Sequence, residues 1–133
     1  MYELNGWCSI AESTTEPDVG SLGDGIRDLE ARINSVDWSS LVVSLKRVNG
    51  CWSLTFVCRT NRRRGEAEFI DKLVDWIVER FPGSYGLLYE RDDDLPSDSG
   101  GNEFRVRTIA RGKVDEQRDL LLSPINPTIE DWC

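Results

Sequence analysis

The chain has 133 residues, of which 39% are hydrophobic and 30% charged. That length suits a single domain, residues 1–133, with no apolar run near the roughly 20 residues that cross a bilayer and no basic, then apolar, leader in MYELNGWCSI. Sixteen Lys and Arg against 24 Asp and Glu give a net charge of −8, which disfavours nucleic acid and anionic membranes and favours a basic partner, although the same charge also serves solubility.

Residues 2–10 alternate. Tyr2, Leu4, Gly6, Cys8 and Ile10 fall on one face and Glu3, Asn5, Trp7 and Ser9 on the other, the pattern of a half-buried strand. The stretch AESTTEPDVG (11–20) is rich in turn residues and breaks it. Leu22, Ile26, Leu29, Ile33 and Val36 then recur at alternating spacings of 4 and 3, one stripe of a helix. Gly23 and Gly25 weaken its first turn.

Asn49-Gly50 separates two strand-like runs, Leu41–Val48 and Cys51–Cys58. Asn-Gly favours a type I′ hairpin turn because both positions need positive φ. A two-residue turn fixes the register: Val48 opposite Cys51, Arg47 opposite Trp52, Leu45 opposite Leu54, Val43 opposite Phe56 and Leu41 opposite Cys58. The last four pairs share a mostly apolar face. Lys46/Ser53, Ser44/Thr55 and Val42/Val57 share the other, mostly polar one.

Thr60–Gly65 (TNRRRG) reads as a solvated basic loop, with an anion site at Arg62, Arg63 and Arg64 as the functional alternative. A second helix over about Glu66–Phe81 carries Phe69, Leu73, Trp76, Ile77 and Phe81, widened by Ile70 and Val74. Glu66 and Glu68 near its start and Arg80 near its end suit the helix dipole, and Pro82-Gly83 stops it. Gly83–Arg111 then holds two strand-like runs, Ser84–Arg91 and Asn102–Arg111, around a polar loop. Gly112–Cys133 reads as an extended tail containing the apolar run Leu120–Leu122.

The expected fold is α+β: a ferredoxin-like, split βαβ order β-α-β-β-α-β with an added C-terminal strand and an extended tail. Two helices would cover one face of an antiparallel sheet. The other face would present Trp7, Ser44, Thr55, Arg105 and Arg107, unless the tail covers it.

The chain contains no histidine, which removes the usual general base and any Ser-His or Cys-His pair. Cys8, Cys51, Cys58 and Cys133 form no Cys-x-x-Cys pair, so a structural zinc is disfavoured and reduced, mostly buried thiols are expected. Cys51 and Cys58 fall on opposite faces of their strand. Asp92-Asp93-Asp94 lacks the glycine and closing glutamate of a calcium loop. No dinucleotide or phosphate-loop motif is present, and no cofactor or metal is expected. The remaining candidate is a binding surface. Glu90, Asp92, Asp93, Asp94 and Asp98 crowd a hairpin tip that could steer a basic partner, or simply guard a sheet edge.

Asn5-Gly6-Trp7, the block Gly83–Asp93 (GSYGLLYERDD) and Asn102–Val106 (NEFRV), continued by Ala110–Val114 (ARGKV), Leu122-Ser123-Pro124 and Pro127–Asp131 (PTIED), carry a likeness to known proteins. In these segments the chain resembles the bacterial polymorphic-toxin immunity proteins of the immunity protein seven family. The resemblance implies a cytoplasmic antidote, not an enzyme. It would block a cognate toxin domain, often a nuclease, of contact-dependent inhibition or a related system, as a monomer bound one to one. Glu90, Asp92, Asp93, Asp94 and Asp98, with Trp7 as an aromatic contact, are the expected toxin-binding residues. Specificity could instead lie in Ser13–Gly25, Thr60–Gly65 and Leu95–Gly101. Two other readings compete: a regulatory or oligomeric module using the open sheet face, and a small hydrolase using the acids.

Overall fold

Asn49 and Gly50 have φ of 48° and 83°, the doubly positive turn their sequence demands. They join β2 (Leu41–Val48) to β3 (Cys51–Thr60), and every expected pair from Leu41 opposite Cys58 to Val48 opposite Cys51 is in register. The computed structural model describes residues 1–13, 22–96 and 100–124. Before β2 come β1 (Tyr2–Ile10) and α1 (Leu22–Asn34). After β3 come α2 (Gly65–Arg80), β4 (Tyr85–Asp92), β5 (Arg105–Ala110) and β6 (Lys113–Arg118).

The strands form one open sheet in the order β2-β3-β1-β4-β5-β6, antiparallel at every junction. β1 lies between β3 and β4, with Gly6 opposite both Phe56 and Leu88. Both helices cover the face that carries Leu4, Cys8, Leu54, Phe56 and Leu88. Ile26 and Leu29 of α1 and Ile70, Leu73, Val74 and Ile77 of α2 join those strands in a shared core. The buried stripe of α2 is thus centred on the residues expected only to widen it. Phe69 and Trp76 pack partly buried at its margins. Gly25, whatever its cost in helix propensity, is also a close contact. A Cβ there would stand 2.7 Å from the buried ring of Phe81.

The tail differs from expectation. Instead of an extended segment from Gly112, the chain turns at Arg111 and Gly112, with φ of 53° and 71°, and returns as β6 along β5. Ala110 opposite Lys113 is the same two-residue geometry as Val48 opposite Cys51. β6 (KVDEQR) is an edge strand whose charges discourage further strand pairing. Residues 125–133, where Pro127–Asp131 falls, lie outside the described residues.

Candidate functional site

Alternation along β4 turns Glu90 to the helix side, in step with Gly86 and Leu88. There it meets a charge cluster. The Tyr2 hydroxyl donates to the Glu90 carboxylate. Arg107 places Nη2 3.4 Å from Glu90 and Nη1 2.7 Å from Asp71 of α2. Arg63 reaches the same acids, with Nη2 2.6 Å from Asp71 and Nε 3.5 Å from Glu90. Its guanidinium also lies over the Tyr2 ring at 5.6 Å. Two carboxylates and two guanidiniums balance each other where burial would penalise a lone charge. Burial, and then the bond to Glu90, push the Tyr2 hydroxyl well above its ordinary pKa. Burial alone would lower Arg63, but Asp71 and Glu90 outweigh it and hold the guanidinium charged.

This cluster corrects three expectations. Glu90 is not on the outward tip, since its side chain is only 14% exposed. Arg105 and Arg107 face the helix side rather than the open face, because β5 enters register with Arg105 opposite Glu90 and Arg107 opposite Leu88. Arg63 is not simply solvated, since it ties the 60–65 loop to α2 and β4. The signal was available in the period-2 alternation of β5, which puts both arginines in phase with buried Ile109.

The tip itself is built from Asp92, Asp93 and Asp94. The Asp94 amide donates to the Asp92 carboxylate at 3.1 Å, and the Leu95 amide to the Asp92 carbonyl at 3.3 Å. Such an aspartate-led turn competes with continued strand and ends β4. Asp93 pairs with the amino group of Met1, and Asp94 is exposed beside it. Asp98 lies outside the described residues. Among the described residues no three acids or thiols converge as metal ligands.

Trp7 stands on the open face, 42% exposed, between Thr55 and Leu87 in one row with Ser44. Tyr85 meets it edge to face, with ring centroids 5.9 Å apart. The arginines of this face are Arg59 and Arg91, which flank Glu3 at 3.2 and 3.8 Å. Between Trp7 and the end of β5 runs a groove of about 550 Å³, lined by Asn5, Val57, Leu87 and Tyr89, with Phe104 and Leu122 at its edge.

Beyond β6 lies a turn that the sequence reading passed over. Asp119 is buried, yet its carboxylate accepts four hydrogen bonds: from the Leu121 amide at 3.1 Å, the Leu122 amide at 2.7 Å, the Ser123 hydroxyl at 3.2 Å and the Tyr89 hydroxyl at 3.2 Å. Ser123 Oγ in turn accepts the Phe104 amide at 2.9 Å, and the Asp119 amide donates to the Phe104 carbonyl at 3.1 Å. Burial by itself would raise the Asp119 carboxyl. The donors outweigh it and hold the carboxyl below the ordinary aspartate value. An aspartate followed at i+2 and i+3 by free amides is the local signal that could have found this turn.

The family model described as Immunity protein 7 matches residues 1–131. Neither a curated protein nor a solved structure matches the chain.

Proposed function

The chain belongs to the immunity protein 7 family, and we propose that it neutralises one cognate toxin domain by holding it in a one-to-one complex in the cytoplasm. The toxin domain is a basic polymorphic-toxin C-terminal domain, a nuclease, whose active or essential surface the complex covers. Neutralisation by occupancy needs no cofactor, no turnover, no nucleic acid and no membrane. The observation that carries this reading is the acidic tip, where Asp93 and Asp94 are exposed beside half-buried Asp92, on a chain of net charge −8. Such a tip raises the encounter rate with a basic surface and disfavours wrong partners. Trp7 is a second contact, and Asp98 belongs to the tip by sequence. The same reading takes residues 1–133 as one domain whose first six elements form a ferredoxin-like unit. The strand order β2-β3-β1-β4 supports it, with each βαβ pair straddling one antiparallel strand.

The test is growth rescue. The C-terminal domain encoded by the gene immediately upstream is induced in a bacterial host, with and without this protein. Rescue together with a co-purifying complex is the expected result. Toxicity that co-expression does not relieve refutes the pairing.

A second reading rests on the open face, where Trp7, Val42, Val57 and Tyr85 are exposed. On that reading the protein is an oligomeric or regulatory module that associates through this sheet face. Sedimentation as a monomer at tens of micromolar excludes it.

A further inference from the structure

Leu120, Leu121 and Leu122 are 87%, 83% and 58% exposed. A single exposed leucine is ordinary, but three in sequence on a fastened turn are not. The carboxylate of Asp119 holds the amides of Leu121 and Leu122, and Tyr89 and Ser123 brace it. The backbone that displays the leucines is therefore set before any partner arrives, which lowers the ordering cost of binding.

Strand register places this turn. Tyr2 of β1 stands opposite Asp92, Glu90 opposite Arg105, and Arg105 opposite Arg118, the last residue of β6. The leucine turn and the acidic tip thus occupy the same end of the sheet. Leu122 also borders the open-face groove. A second copy of this chain would bring another net charge of −8 against the same end, whereas a basic partner is drawn to it.

We infer that the leucine turn is the apolar anchor of the toxin interface, with Leu120 and Leu121 entering an apolar pocket that lies beside basic residues on the toxin domain. This rests on the toxin-binding reading above and assigns its two terms to different residues. Aspartates 92–94 set the rate of encounter, and the leucines set the lifetime of the complex. A buried apolar anchor ringed by polar contacts is the usual seat of binding energy.

The test measures association and dissociation rates against the upstream-encoded toxin domain, carried as a catalytically inactive variant. Leu120→Gln with Leu121→Gln should raise the dissociation rate about tenfold or more and change the association rate less than about threefold. Both side chains are exposed, so the fold tolerates the change. Leu120→Met with Leu121→Met should keep the wild-type lifetime. An unchanged dissociation rate in the Gln variant overturns the inference and, if growth rescue persists, leaves the toxin-binding reading standing. A dimer of the free protein that the Gln variant dissociates also overturns it, by making a second copy the occupant. No complex between the wild-type protein and the toxin domain overturns both.

Discussion

The Glu90 carboxylate lies 3.4 Å from Arg107 Nη2, beneath the sheet, with both side chains less than one-sixth exposed. Glu90→Gln would leave Arg63 and Arg107 sharing Asp71 alone and the Tyr2 hydroxyl opposite a weaker acceptor. Breaking a buried pair from one side costs several kcal/mol. The partial exposure here reduces that to about 2–4 kcal/mol. Urea unfolding measures it as a lowered midpoint at constant slope. Arg105→Gln is the control. Its bond to Glu116 joins two half-exposed side chains, so the loss should stay below about 1 kcal/mol.

Asp92→Asn with Asp93→Asn and Asp94→Asn should act on binding instead. Exposed charges at an interface rim govern encounter more than lifetime. The association rate should fall about tenfold at low salt, and its dependence on ionic strength should flatten. Stopped-flow mixing across a salt series reads both. Wild-type association with an unchanged salt slope would remove the tip from the interface.

The contrast between Glu90 and its neighbours shows how far the sequence could be read. Alternation and the Asn49-Gly50 turn were enough for β1, β2 and β3 and for the register of β2 on β3, because each strand has one wet and one dry face; the place of β1 between β3 and β4 was not legible. Both helices were visible from their stripes. Arg107 was harder. Its phase with Ile109 was plain, but an arginine on the core side is plausible only once Asp71 and Glu90 are known to await it, and that pairing spans 36 residues in one case. Arg111-Gly112 was missed because arginine is not a residue that announces positive φ. The Asp119 turn had a local signal in its i+2 and i+3 amides, but its fourth donor, Tyr89, is brought alongside only by the β4–β5 and β5–β6 pairings.

Glycine substitutions in α1 should have opposite signs two residues apart. Nothing lies within 4 Å of a Cβ on Gly23, so Gly23→Ala should gain up to about 1 kcal/mol from helix propensity. At Gly25 the added methyl would stand 2.7 Å from the Phe81 ring, which is fully buried and cannot withdraw. Overpacking should outweigh propensity, and Gly25→Ala should lose about 1–3 kcal/mol. Thermal unfolding of the two variants distinguishes them. A stabilised Gly25→Ala protein would show that α1 can slide away from Phe81.

The described thiols should divide by burial. Burial pushes the Cys8 thiol up to about 12 and the Cys58 thiol, helped by Glu66 and Glu90, up to about 11. Cys51 is exposed at the hairpin turn. Alkylation of the native protein at pH 8, read by peptide mass spectrometry, should modify Cys51 and leave Cys8 and Cys58 intact until denaturant is added. Early labelling at Cys8 would mean that β1 opens locally between β3 and β4.

Asp119 makes stability depend on acid in a defined sense. Its folded-state carboxyl sits below the ordinary aspartate value of 3.8, so the folded chain binds its proton later than the unfolded chain does as pH falls. The stabilisation is present in full above that ordinary value and is lost as pH drops through the lowered one. Asp119→Asn should therefore be destabilising at neutral pH, and its deficit relative to wild type should shrink as pH falls from 5 towards the acid limit. Tyr2 and Tyr89 act at the other end. Burial comes first in raising both above the ordinary tyrosine value of 10.0, with Glu90 and Asp119 adding to it. Their contribution is present below that value and is lost as pH climbs past it. Denaturant titrations of wild type and Asp119→Asn across the pH range measure both limbs. If the two proteins lose stability in parallel on the acid side, the carboxylate is not what holds the leucine turn.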